Sequence, residues 1–362
     1  MTTEKLIDGI LDYFKTDAAT VTTAGIRQYC EANGLSSSSI LNRLGNYRVS
    51  RGKYSLTRAQ DVAALESAYQ APVKGSLVPT ADGNFVPFGN FSDVKNVLKS
   101  KLFYPLFITG LSGNGKTHSV EQACATLNRE CVRVNITIET DEDDLIGGFR
   151  LVDGNTVWHD GPIVEALKRG AVLLLDEIDL ASNKIMCLQS LLEGNGVYLK
   201  KINEYVKPAP GFNVVATANT KGKGDDSGNF IGTNILNEAF LERFAVTFQQ
   251  DYPTPAVETK ILSRVADSLS IDEPTFIVHL VTWAEIIRKT YDDGGVDAVI
   301  TTRRLINILK AFAIWGNVTK SIELCTNRFD DETRKVFTEL YTKVSGDYND
   351  QPELNSEHEL HN

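Results

Sequence analysis

Short apolar runs recur through the middle of the chain: Leu106-Phe107-Ile108, Val132-Arg133-Val134-Asn135-Ile136, Val172-Leu173-Leu174-Leu175 and Val214-Val215-Ala216. They read as strands, and the segments between them carry apolar residues at helical spacing. Strands alternating with helices over Leu106 to Phe248 predict a parallel sheet with helices on both faces. After Pro253-Thr254-Pro255 the pattern is wholly helical as far as Val344.

A different pattern opens the chain. Leu6, Ile7, Ile10, Leu11 and Phe14 recur at helical spacing, as do Ile26, Tyr29 and Cys30. Gly34 stops that second helix, and Ser36 to Ser39 followed by Ile40, Leu41 and Leu44 predict a third. The stretch Tyr47 to Leu56 alternates around Gly52 as a small hairpin does. Helices followed by a hairpin predict a winged-helix-like domain over residues 1–60. Pro, Gly and small polar residues then mark a linker over 61–80, ahead of an α/β domain over 81–250 and a helical lid over 251–344. The end, 345–362, is polar and acidic without apolar periodicity, which predicts a disordered tail.

Length and composition agree with that division. A chain of 362 residues with 42% hydrophobic content is too long for one compact core. No apolar run approaches the roughly 20 residues that span a bilayer, and the start lacks a basic-then-apolar signal pattern, so a cytoplasmic protein is expected, with no membrane contact. Cys30, Cys124, Cys131, Cys187 and Cys325 show no CxxC spacing and read as reduced thiols. A net charge of −10 argues against a protein that coats nucleic acid non-specifically.

The candidate chemistry sits at the ends of the predicted strands. Gly110-Leu111-Ser112-Gly113-Asn114-Gly115-Lys116-Thr117 fits GxxxxGK[ST], directly after one strand and before a helix. Glycines let backbone N–H groups wrap phosphates, and the helix N-terminus adds its positive dipole end. Lys116 would reach the β and γ phosphates, and the Thr117 hydroxyl would serve Mg²⁺. His118 follows as a helix residue beside the loop. The strand Val172 to Leu175 runs into Asp176-Glu177, where open α/β sheets place their chemistry. Asp176 suits the Mg²⁺ shell, and Glu177 an attacking water.

Further along, Val214-Val215-Ala216-Thr217-Ala218 delivers Asn219, which at a strand's carboxyl end suits a water or a γ-phosphate, the role of a sensor, although on its own such a residue is more often part of a turn. Arg243 lies in Asn237-Glu238-Ala239-Phe240-Leu241-Glu242-Arg243-Phe244, where its fork suits the phosphate of a neighbouring subunit, although a surface ion pair is the commoner fate of an arginine taken alone. In the lid, Arg303 and Arg304 occupy the first turn of a helix. Cations are disfavoured there unless an anion is near, and Arg303 is chosen as the second sensor over Arg304.

Taken in order, these motifs resemble the AAA+ superfamily of P-loop NTPases from about Val78 to Val344. Asp143 to Gly154, then Trp158-His159-Asp160-Gly161-Pro162, resembles the insert of MoxR-type ATPases, and Ala218 to Asp225 with Ile231 to Asn234 resembles the CobS-like branch. The resemblance implies an AAA+ core, ATP and Mg²⁺ as cofactors, hydrolysis in a hexameric ring with Arg243 acting in trans, and an insert hairpin lining the pore. It also implies a client protein or a partner carrying a von Willebrand A domain. The amino-terminal helices and hairpin lie outside that resemblance. Their basic residues Arg43, Arg48, Arg51, Lys53 and Arg58 raise the alternative of a motor or loader guided to nucleic acid.

Overall fold

In a computed structural model of the chain, residues 3–15, 18–45, 48–50, 53–57, 75–224 and 232–346 are described. Most of the expected linker and nearly all of the expected tail therefore lie outside the described residues, as do Arg51, Arg58, Asp225 and Ile231. The chain divides into two compact units, Met1–Lys74 with Phe149–His159, and Gly75–Gly148 with Asp160–Asn362.

In the first unit, helices α1 (Thr3–Tyr13), α2 (Thr23–Ala32) and α3 (Ser37–Arg43) accompany strands β1 (Ala18–Thr22), β2 (Arg48–Ser50) and β3 (Lys53–Thr57). The expected helices and hairpin are present, with one addition. β1 pairs antiparallel with β3, giving a three-stranded sheet in the order β1-β3-β2. Ala-Ala-Thr-Val-Thr has one large apolar residue, Val21, so periodicity gave no sign of a strand there. Leu6, Ile10 and Leu11 pack with Ile26, Cys30, Leu44 and, from the hairpin, Leu56, most of the stripe that helical spacing identified, whereas Phe14 is exposed. Arg43, Arg48 and Lys53 are exposed.

The insert forms an antiparallel hairpin of β6 (Gly147–Val152) and β7 (Asn155–Asp160). Asp153 and Gly154 turn it with φ of 47° and 80°, the backbone that a tight Asp-Gly hairpin turn requires. Phe149 and Trp158 meet edge to face at 5.6 Å, and Leu151 is exposed.

The second unit begins with helix α4 (Phe91–Ser100) and is built on a five-stranded sheet. The strands are β4 (Leu106–Thr109), β5 (Cys131–Asn135), β8 (Val172–Asp176), β11 (Asn213–Ala218) and β12 (Val246–Gln249). All pairings are parallel, in the order β12-β4-β11-β8-β5. The three inner strands are buried along their whole length, as continuous apolar runs covered on both faces must be. Leu106, Ile108, Leu174 and Val215 pack beneath α4 and α5 (Lys116–Thr126), whereas Phe107, on the alternate face, meets Phe244 at 5.3 Å. The fifth strand, β12, escaped the sequence reading because Val-Thr-Phe-Gln at a sheet edge alternates and is never continuously apolar.

Around the sheet are α6 (Glu142–Leu145), α7 (Pro162–Arg169), α8 (Gln189–Leu192), α9 (Glu238–Leu241) and a second hairpin of β9 (Val197–Leu199) and β10 (Glu204–Val206). The lid consists of α10 (Pro255–Ser268), α11 (Pro274–Asp292), α12 (Thr302–Trp315), α13 (Val318–Thr326) and α14 (Asp331–Val344). Its core centres on Trp283, whose indole N–H donates to the Phe337 carbonyl at 2.9 Å. All five cysteines are free. No helix among the described residues is long and apolar enough to cross a membrane.

Candidate nucleotide site

The loop Gly110–Gly115 leaves the C-terminal end of β4 and feeds α5, and three of its glycines hold φ of 146°, 71° and 88°. At Gly110 a side chain is excluded twice over, because a Cβ would also lie 2.1 Å from the Gln250 carbonyl oxygen. Buried Asn114 donates its side-chain amide to that same carbonyl, and the Tyr252 hydroxyl donates to the Ser112 carbonyl at 2.8 Å. The loop is thus braced from the segment that follows β12.

Lys116 Nζ donates to the carbonyls of Gly110 at 2.5 Å and Leu111 at 3.0 Å and to Asn219 Oδ1 at 3.2 Å. Burial pushes its pKa down to about 8. The carboxylates of Asp179, Asp176 and Glu177 oppose that fall, and the Arg303 guanidinium adds to it.

Asp176 ends β8, paired in register with Asn135. Its Oδ1 accepts from Thr117 Oγ1 at 2.7 Å and from Thr217 Oγ1, and its Oδ2 from Arg133 Nη2 at 2.6 Å. Glu177 follows at φ 58° and ψ 45°, a left-handed conformation that costs a residue with a Cβ about 1 kcal/mol or more and turns it away from the strand. Its backbone N–H donates to Thr217 Oγ1 at 3.3 Å.

Asn219 stands just beyond β11. Its backbone N–H donates to Asp179 Oδ2 at 2.9 Å, and the same oxygen accepts from the Thr220 N–H at 2.9 Å and the Thr220 hydroxyl at 3.1 Å. From the lid, Arg303 joins Lys116, Thr117, Asp176, Glu177 and Asn219 in the wall of one polar cavity of about 500 Å³. Arg304 turns away, donating to the Cys325 carbonyl at 2.6 Å and lying over Phe329.

On the other side of Gly113 and Gly115 a narrower cavity of about 200 Å³ is lined by Phe85, Val86, Phe88, Ile261, Val265 and Ile306. His118 stands between the two, bonded to Asp82 Oδ2 at 3.1 Å and edge-on to Phe85.

Comparison with known proteins is consistent with this geometry. Residues 105–244 match the family described as AAA domain (dynein-related subfamily). The chain is 28% identical over 249 residues to the aerobic cobaltochelatase subunit CobS of Sinorhizobium sp, which covers 67% of this chain and 75% of that one. Protein NorQ of Paracoccus denitrificans is 33% identical over 215 residues, 57% of this chain and 76% of NorQ. An uncharacterized protein of Staphylococcus saprophyticus is 29% identical over 255 residues, 67% of this chain and 90% of that protein. The chain belongs to the AAA+ ATPases, in their MoxR/CobS-like group.

In this AAA+ chain one expected residue stands apart. Arg243 does not line the polar cavity. Its Nε donates to Glu193 Oε1 at 2.8 Å and its Nη1 to the Ala239 carbonyl. Several residues that line the polar cavity, brace the loop or anchor Asn219 were not foreseen. Thr217 and Arg133 were read only as strand positions, Asp179 was overshadowed by the Asp-Glu pair before it, and Gln250 and Tyr252 follow the unrecognised β12. The one signal in the sequence was Asp179, a third acid within Asp176-Glu177-Ile178-Asp179, too close to a buried strand end to be casual surface charge.

Proposed function

We propose that this chain hydrolyses ATP with Mg²⁺ in a ring of its own copies and uses the cycle to remodel a partner protein. The observation that carries the reading is the convergence of Lys116, Thr117, Asp176, Glu177, Asn219 and Arg303 on one polar cavity, with Arg243 outside it.

The metal reading is supported by the donor set. A hydroxyl and a carboxylate 2.7 Å apart are hard oxygen donors, and Mg²⁺ characteristically takes one or two carboxylates and completes its shell with phosphate oxygens and water. Thr117 and Asp176 would hold it, and when bound it neutralises charge on the phosphates.

The remaining work falls to the protein. Lys116 and Arg303 offset charge developing on the transferred phosphoryl group. Glu177 polarises the attacking water and accepts its proton, and Asn219 aligns that water through its side-chain amide. The apolar cavity beside Phe85 and Ile261 suits a purine, and no NKxD motif follows the sheet strands to read guanine. Arg243 completes the site of the next copy, exchanging Glu193 for a phosphate oxygen.

Similarity to CobS and NorQ supports a protein client, with a von Willebrand A-domain protein as the expected class. The resemblance carries the engine and not its load, so cobalt chelation is not transferred with it. The test mixes two variants: Arg243→Ala alone has low ATPase activity, and adding a Glu177→Gln chain with an intact Arg243 restores part of it. Absence of restoration places the role of Arg243 within its own chain and removes the support for a shared site.

A further inference from the structure

Both oxygens of Asp176 are engaged, and the partner of Oδ2 is a cation. Arg133 stands on β5 at the edge of the sheet, next to β8, and donates Nη2 to that oxygen at 2.6 Å. Its other nitrogens reach two further acceptors: Nε donates to Asn135 Oδ1 on the same strand at 3.2 Å, and Nη1 to Glu121 Oε1 on α5 at 3.2 Å. The guanidinium therefore bridges two carboxylates, one buried at the strand end and one partly exposed on the helix. All three residues line the polar cavity.

A buried carboxylate needs a counter-charge, and a planar five-donor fork supplies one while fixing its orientation. A divalent ion approaching the same carboxylate meets that positive charge at short range, only partly screened by the water that reaches the exposed side of the guanidinium. Glu121 gives the fork a second anionic seat within its present reach, so Arg133 can release Oδ2 without becoming an unpaired ion. Because the side chain is 43% exposed, such a shift needs no repacking.

We propose that Arg133 competes with the divalent metal for Asp176, holding the carboxylate aligned and leaning onto Glu121 as the metal binds, and so sets the metal affinity of the site. This rests on the reading of Thr117 and Asp176 as metal ligands.

The experiment titrates Mn²⁺ into the full chain with a non-hydrolysable ATP analogue, reading free Mn²⁺ by electron paramagnetic resonance. Arg133→Gln is expected to bind Mn²⁺ roughly several-fold more tightly than the wild type, because a positive neighbour, partly screened by solvent, has been removed. Glu121→Gln is expected to bind it several-fold more weakly, because the fork is left with Asp176 alone. Unchanged or weaker Mn²⁺ binding by Arg133→Gln overturns the proposal and makes Arg133 a support for Asp176. So does loss of metal-free analogue binding in that variant. If Arg133→Gln does not fold, Glu121→Gln decides: equal affinity to wild type overturns the proposal. Failure of the wild-type complex to take up Mn²⁺ overturns instead the metal reading beneath it.

Discussion

Replacing Glu258 by alanine strands a guanidinium inside the lid. Glu258 is 1% exposed, and its carboxylate takes both Arg288 Nη atoms, at 2.8 and 2.9 Å, together with the Thr302 hydroxyl at 2.6 Å. Arg288 also donates to the Ile300 carbonyl at 2.9 Å and lies 4.1 Å over the Tyr252 ring. Removing one member of a buried pair leaves the other uncompensated, which costs about 3–5 kcal/mol. For a unit of this size that lowers the unfolding midpoint by on the order of 10 °C. The loss reaches the nucleotide as well, since Thr302 precedes Arg303 and Tyr252 braces the loop at Ser112. Urea unfolding followed by fluorescence, with Trp283 in the lid core as the internal reporter, measures the loss. Glu258→Met with Arg288→Met should recover at least half of it, because apolar replacements of a buried pair are often neutral. A loss below about 1 kcal/mol, the value of a surface pair, refutes the reasoning. So does a double variant no more stable than Glu258→Ala.

Asp179→Ala leaves the two backbone N–H groups of Asn219 and Thr220 and one hydroxyl without their acceptor, and should cost about 3 kcal/mol or more in the same unfolding measurement. It should also lower kcat more than it raises KM, since Asn219 loses its anchor; a fall confined to KM would contradict that. The Lys116 ammonium is held near 8 by burial, below its ordinary 10.5, and a bound phosphate is expected to raise it again, as a nearby opposite charge favours the charged form. ATP binding therefore takes up about half a proton at pH 8, and affinity falls about tenfold per pH unit above 8 while staying level below 7. Calorimetry in buffers of different ionisation enthalpy measures the uptake, and a value of zero contradicts the assignment.

The readable part of this molecule is the part whose spacing matches what a phosphate ligand would require. A phosphate cradle needs its glycines, lysine and threonine within one turn of chain, so Gly110 to Thr117 can be recognised without a structure. Asp176 and Glu177 are legible for the same reason, at the end of a strand too apolar to be anything but buried. What stayed hidden is held by partners distant in sequence. Arg133 and Asp176 are 43 residues apart, Asn114 and the carbonyl of Gln250 are 136 apart, and Arg288 and Glu258 are 30 apart. Each looks on its own like a solvated polar residue, and burial alone reveals the pairing. Arg303 and Arg304 show the limit of local reasoning. The dipole argument marks both as unusual, and the rotation of α12 sends one to the polar cavity and the other to Phe329.

The central claim is that Glu177 activates water for attack on a nucleotide that the rest of the site binds without it. Its most direct test is single-turnover hydrolysis of ATP by Glu177→Gln beside an equilibrium measurement of ATP affinity. The account predicts affinity within a few-fold of wild type and hydrolysis reduced by about a hundredfold or more. Hydrolysis at the wild-type rate, with ATP bound as tightly as before, would contradict it.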